Sequence, residues 1–203
     1  MTMDLHLNDI PPNLSFGDCV AIDTETMGLN PDRDRLCLVQ LSSGDGTAHI
    51  IKFSNGEYDA PNLKGLLTNP EVTKLFHFGR FDIAVLRKYL GISCRPVYCT
   101  KIASKLTRTF TDRHGLKDLC KDVLGVTISK EQQSSDWGAN ELSEAQLSYA
   151  ASDVLYLHAL RTELNVMLER EGRIELAAAC FEFLPTRAEL DLAGWPETDI
   201  FKH

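Results

Sequence analysis

The fold class this sequence predicts is α/β, a mixed central sheet flanked by helices. Three observations predict it. Residues 18–53 carry three successive apolar runs of strand character. From Pro61 onward, short strand-like runs alternate with helical segments. The 203 residues hold no internal repeat, low-complexity tract or break in composition, which favours one large domain over two small ones.

Residues 1–17 are polar, contain Pro11 and Pro12, and read as a lead-in. Asp18–Asp23 is the first expected strand. Arg35–Ser42 and Thr47–Phe53 are the next two, joined by Ser43-Gly44-Asp45-Gly46, a strong hairpin signal. Pro31–Asp34 makes the loop before them, and the three strands should form an antiparallel meander. Asn62–Leu67 reads as a short helix, Val72–Phe76 as a strand, and Phe81–Leu90 as a helix stopped by Gly91. A strand at Pro96–Cys99 leads into a helix at Thr100–Leu106. Gly115–Leu124 is helical and again ends at a glycine, Gly125. Val126–Gly138 is irregular and polar. Ser143–Glu171 is a long helical stretch opened by Ser143-x-x-Gln146, a capping-box pattern. Ile174–Phe183 is the last expected helix. The tail from Pro185 to His203 carries Leu190, Leu192, Trp195, Ile200 and Phe201, which either pack on their own domain or form a subunit contact. Strands in series followed by alternating elements give a mixed sheet.

Hydrophobic content of 43% and charged content of 25% are those of an ordinary globular protein. No apolar run reaches the roughly 18 residues of a membrane span, and residues 1–13 lack the basic-then-apolar order of a secretory signal. Six scattered cysteines without a Cys-x-x-Cys pair read as reduced thiols of a cytoplasmic protein and argue against a zinc site. A net charge of −8 speaks against coating long duplex nucleic acid. It leaves open a short nucleic acid held by a few residues and metals. The charge is uneven: Lys101, Lys105, Arg108, Arg113, Lys117 and Lys121 face only Asp112 and Asp118, a local basic surface on an acidic protein.

Val20–Leu29 organises the rest. On a strand, residues i and i+2 point to one side, so Asp23 and Glu25 present two carboxylates on one face. Like charges that close need a cation between them, and oxygen-only ligands suit Mg²⁺ or Mn²⁺. Asp82 falls in the first turn of a helix, where the dipole favours it, just beyond a strand, where open sheets place ligand chemistry. Tyr149 and Asp153, four apart, share a helix face. The small Ala150, Ala151 and Ser152 between them allow a close approach, and Val154, Leu155 and Leu157 make this a costly place for an unpartnered charge. Each feature alone has an ordinary reading: a polar strand end, a helix-start Asp, a solvated Asp beside a packed Tyr. Together they are the set a two-metal phosphodiester hydrolase requires, with ions roughly 3.5–4 Å apart.

The order Asp23-x-Glu25, Asp82 after the His77-containing strand end, then Tyr149-x-x-x-Asp153, resembles the DEDDy branch of the 3′-5′ exonucleases. Leu124-Gly125-Val126, Ser134-Ser135-Asp136-Trp137, Leu142-Ser143 and Tyr149–Leu157 are similar to the ribonuclease D group. Thr100–Thr109, Thr111–Lys117 and Gly194-Trp195 resemble its short single-domain nano-RNase members, and the likeness runs almost end to end. It implies a ribonuclease H-like, DnaQ-like exonuclease fold over residues 1–203, without the helical HRDC domains of full-length ribonuclease D. It implies hydrolysis of very short oligonucleotides from the 3′ end, especially dinucleotides including pGpG, to nucleoside 5′-monophosphates. The alternative is ribonuclease D-like trimming of tRNA or other longer RNA, with DNA as a further substrate. A non-catalytic nucleic-acid-binding module would be marked by loss of a carboxylate, and all four are present.

The resemblance further implies two divalent ions, Mg²⁺ or Mn²⁺. Asp23 is shared by both, Glu25 and Asp153 complete one site, and Asp82 supports the other, partly through water. Tyr149 orients or deprotonates the attacking water; since a phenol of pKa about 10 is a poor base at neutral pH, the ions must do much of that work. Thr24, His77 and Phe78 become candidates to touch the terminal nucleotide, and Leu29 a wedge between the terminal bases. Arg108, Arg113 and His114 become candidates for a 5′-phosphate, against the plain reading of a solvated basic face. Trp137 more readily packs its loop than stacks a base, Asp136 suits a turn or N-cap, and His49 and His158 read as structural. A cytoplasmic homo-oligomer, an octameric ring, is implied, with no membrane association.

Overall fold

The computed structural model describes residues 2–54, 56–129 and 131–202. Its strands are β1 (Thr2–Leu7), β2 (Cys19–Thr26), β3 (Leu36–Ser42), β4 (Thr47–Lys52), β5 (Thr73–Phe76) and β6 (Val97–Cys99). They form one sheet in the order β1-β4-β3-β2-β5-β6. The expected meander is there: β2 runs antiparallel to β3, and β3 antiparallel to β4. β5 and β6 add on parallel to β2, so the sheet is mixed. In β2, Val20, Ala21 and Ile22 have no exposed surface, and β3 is buried throughout, as central strands covered on both faces must be.

The helices are α1 (Pro61–Thr68), α2 (Arg80–Leu90), α3 (Thr100–Thr107), α4 (Leu116–Leu119), α5 (Glu144–Leu155), α6 (Leu157–Arg170) and α7 (Ile174–Leu192). Gly91 closes α2 in the left-handed region, as expected for a helix-ending glycine. α4 continues into a π-helical turn, Cys120–Leu124, so the stretch expected as one helix changes its winding. α5 packs on β2, β3 and β4, which places it above the central strands.

Four expectations are corrected. Residues 2–7 are not a lead-in but the edge strand β1, parallel to β4 from Thr2↔Thr47 to Leu7↔Lys52. An edge strand can stay polar because one side faces water, which is why no apolar run announced it. β2 extends past Asp23 to Thr26, so both carboxylates lie within a paired strand. The long helix breaks at Tyr156 into α5 and α6. α7 runs through Pro185 instead of ending at Phe183; the buried Phe181, Leu184 and Ala188 anchor both sides of the proline, offsetting its lost hydrogen bond.

Cys19, Cys37, Cys94, Cys99, Cys120 and Cys180 are all free. His158 is structural, its Nε2 lying 3.1 Å from the Ser42 carbonyl and its ring against Gly44, where a Cβ would come within 2.8 Å of it. His49 stacks on His6 and meets the edge of Phe16. No described helix is long and apolar enough to cross a membrane.

Candidate active site

β2 supplies the first two functional groups. Its alternation puts Asp23 and Glu25 on the face covered by α5 and turns Thr24 to the other. α5 is held at its start by the expected capping box: Gln146 N donates to Ser143 Oγ at 3.2 Å, and Ser143 N donates to Gln146 Oε1 at 3.0 Å. Ala150 and Ala151 are fully buried, so the helix seats closely and delivers Asp153 to the strand. Carboxylate oxygens of Asp23, Glu25 and Asp153 lie within 4.8 Å of one another. Asp82, 4% exposed, reaches β2 from α2 on the Thr24 side, where Thr24 Oγ1 donates to its Oδ1 at 2.7 Å. Sequence reasoning therefore placed all four carboxylates in one region, though Asp82 stands apart from the close trio.

Burial pushes Asp23, Glu25 and Asp82 toward their protonated forms, and crowding by neighbouring acids adds to it for Asp23 and Glu25. Asp23 is held well above the carboxylate range by desolvation, then by Asp82, Asp153 and Glu25. Glu25 is raised to about 9 by desolvation, with Asp153 and Asp82 adding to it. Asp82 rises to about 7 through desolvation, opposed by the Thr24 hydroxyl. The Tyr149 phenol is also pushed up, by burial first and then by Asp153, Glu25 and Asp23. Asp23, Glu25 and Asp82, with no basic side chain among the causes of their shifts, form with Asp153 a donor set that a divalent cation would relieve. All its donors are oxygens, the ligand type of Mg²⁺ or Mn²⁺. The residues fit such ions.

The acids line a cleft of about 610 Å³ that also takes in Thr24, Leu29, His77, Phe78 and Tyr149. Leu29 is 88% exposed at its edge. His77 Nδ1 lies 2.9 Å from Thr100 Oγ1. Phe78 adopts φ of 66°, a backbone conformation that costs a bulky residue about 1–3 kcal/mol and tends to mark functional sites. Its ring is half exposed, with Lys101 Nζ 4.0 Å from the ring centroid. Trp137 packs its loop as expected, 2% exposed, its ring 5.9 Å from that of Tyr149. Asp136 makes the expected turn, Oδ1 accepting from Gly138 N at 3.0 Å.

Arg108, Arg113 and His114 are not brought to the cleft lining. The Arg108 guanidinium is buried, donating to Asp122 Oδ2 at 2.5 Å and to the Arg113 carbonyl at 2.9 Å. Arg113 reaches the same Asp122 oxygen at 3.4 Å, and His114 Nδ1 meets Ser104 Oγ at 2.9 Å. The basic residues that do line the cleft are Lys101 and Lys117. Sequence reasoning saw both as members of the basic run but did not single them out, since nothing in the run told which members face inward.

A model of the 3′-5′ exonuclease family matches residues 4–169, a span that includes every one of these acids and Tyr149. The chain belongs to the 3′-5′ exonuclease family. The mixed six-stranded sheet with flanking helices is accordingly the ribonuclease H-like fold of such exonuclease domains. Ribonuclease D of Acidiphilium cryptum is 37% identical over 159 residues, covering 78% of this chain and 40% of its own length. The chain thus spans about two fifths of the length of that curated relative. Brucella melitensis NrnC bound to pGG is 62% identical with a TM-score of 0.97, over 100% of this chain and 99% of that one. Brucella melitensis NrnC with bound Mg²⁺ is 61% identical with a TM-score of 0.96, over the whole of both chains.

Proposed function

We propose that this exonuclease hydrolyses very short oligonucleotides, dinucleotides above all and pGpG among them, from the 3′ end to nucleoside 5′-monophosphates. The observation that carries this reading is the convergence of Asp23, Glu25 and Asp153 within 4.8 Å beside Asp82 in one cleft. Its restriction to short substrates is supported by the likeness, over the full length, to a protein bound to pGG. A cleft of about 610 Å³ is also within the size range of small-ligand pockets.

Asp23, Glu25 and Asp153 would hold one divalent cation, with Asp82 and the shared Asp23 serving a second. Such cations, Mg²⁺ or Mn²⁺, when bound, activate water and stabilise the charge that develops on the phosphoryl and leaving oxygens. The remaining tasks belong to the chain. Tyr149, whose phenol is pushed up by burial and by the neighbouring acids, orients the attacking water. Leu29 offers an exposed apolar edge to the terminal bases, and His77, Phe78 and Thr24 border the terminal nucleotide. Lys101 and Lys117 bring positive charge to the substrate phosphates. Arg108, Arg113 and His114 shape the segment that presents Lys117, a supporting role in phosphate binding.

Six free cysteines suit the reducing cytoplasm. Exposed Trp195, Ile200 and Phe201 suit a subunit contact in a homo-oligomer.

The likeness to ribonuclease D favours one second reading, trimming of tRNA or other longer RNA, or of DNA. A timed digestion of a 5′-labelled dinucleotide and of longer RNAs, with Mg²⁺ or Mn²⁺ and an EDTA control, separates the two. Faster loss of the dinucleotide supports the short-substrate reading. Dinucleotides left behind while longer chains shorten would overturn it in favour of trimming.

A further inference from the structure

Gln40 lies within β3, has no exposed surface, and is the cross-strand partner of Asp23. Directly opposed residues of an antiparallel pair share a face, with Cβ atoms roughly 4.5–5.5 Å apart. The amide and the carboxylate therefore stand side by side beneath α5. Neither the oxygen nor the nitrogen of the Gln40 amide has a hydrogen-bond partner, and among the described residues no other side chain has two such buried atoms.

The rest of this face gives the amide no reason to be polar. Leu38, two residues back on the same face, and Ile50, the partner of Gln40 on β4, pack with Trp137 and Ala150 in an apolar cluster. A buried amide without a partner is a standing cost, and a side chain of similar shape without polar atoms would fill the space free of it. A glutamine at this place is accounted for by a neighbour that needs a donor. Asp23 is the acceptor set beside it.

We propose that Gln40 is a positioning residue for Asp23: its amide N–H, without a partner in this structure, donates to the Asp23 carboxylate once a cation is bound and holds it in the orientation that shares that cation with Glu25 and Asp153. Hydrogen-bond partners of metal-ligating groups fix ligand orientation in this way. The amide oxygen is then left to accept. Trp137 Nε1, a buried donor that also lacks a partner, belongs to the same apolar patch and has the complementary sign. The inference rests on the cation-binding reading of the Asp23–Glu25–Asp153 cluster.

The test uses Gln40→Leu and Gln40→Met in the full chain, with Mn²⁺ binding measured by calorimetry without substrate and melting measured without metal. The expected result is Mn²⁺ affinity weakened about tenfold while the metal-free melting temperature stays at or above that of the wild type. A positioning role moves affinity without cost to the fold; a packing role does the opposite. Mn²⁺ affinity equal to the wild type, or a lower melting temperature with affinity retained, overturns the proposal. Should the branched leucine prevent folding, the unbranched methionine decides. Wild type and Asp23→Asn run alongside: if the wild type itself takes up no Mn²⁺, the cation reading falls and takes the inference with it. If the wild type binds, Asp23→Asn does not, and the Gln40 variants bind normally, only the inference falls.

Discussion

Thr24 Oγ1 donates to Asp82 Oδ1 at 2.7 Å, and this bond joins β2, which bears Asp23 and Glu25, to Asp82 on α2. Thr24 points away from Asp23 and Glu25 on the same strand, so the contact fixes α2 against the reverse side of β2. Replacing Thr24 by valine keeps the shape and removes the donor. The buried Asp82 then loses a partner, which should cost about 1–3 kcal/mol in chemical denaturation. The hydroxyl also holds the Asp82 pKa down, so the acid limb of the pH–rate profile should move to higher pH.

Asp23→Asn and Asp153→Asn each remove one charge from the crowded cluster. The metal-free proteins should fold and melt no lower than the wild type, because repulsion falls. Mg²⁺- or Mn²⁺-dependent hydrolysis should drop by about a thousandfold or more, the scale of losing several kcal/mol of transition-state stabilisation. Near wild-type turnover by either variant would remove that acid from the set of cation ligands.

Glu25, at about 9 in the fold, lies far above the roughly 4.3 of an unfolded glutamate. Its raised value means that its contribution to stability is fully present below the unfolded pKa and is lost as pH rises through the folded one. In EDTA the protein should therefore melt at a lower temperature at about pH 9 than at about pH 6. Cations compete with those protons, so the rise in melting temperature on adding Mg²⁺ should grow over the same interval. A thermal series with and without Mg²⁺ checks both signs.

Tyr149→Phe leaves the Trp137 ring contact and removes only the hydroxyl. Turnover should fall about a hundredfold, with KM and metal affinity little changed.

Lys101→Ala and Lys117→Ala should raise KM for a dinucleotide and leave the fold intact, since both side chains line the cleft. Arg108→Ala should behave differently. Its guanidinium is buried on Asp122, which is itself partly exposed. The loss should appear as about 2 kcal/mol of stability, less than for a fully buried pair. Steady-state kinetics beside denaturation curves separates the two outcomes.

Two pairs among the candidate residues could be read in advance from local geometry, whereas Asp82 stood out only by its place beyond a strand and by the order of the motifs. A two-residue period put Asp23 and Glu25 on one face, and a four-residue step joined Tyr149 to Asp153. The structure adds what no local period carries. β1 went unseen because an edge strand needs no apolar run. The length of α7 depends on Phe181, Leu184 and Ala188 bracketing Pro185. Arg108 and Lys117 are alike as sequence symbols, and only the fold of residues 108–122 turns one onto Asp122 and the other into the cleft. Nothing in the sequence sets Gln40 apart within its strand; its place opposite Asp23 comes from the strand pairing.

The close trio draws on β2, early in the chain, and on α5, far later in it. A chain leaving the ribosome displays Asp23, Glu25 and Asp82 well before Asp153 has been synthesised. Until α5 closes over the sheet, the trio that would grip a cation does not exist. The nascent protein thus completes its candidate cation site only once synthesis has passed α5.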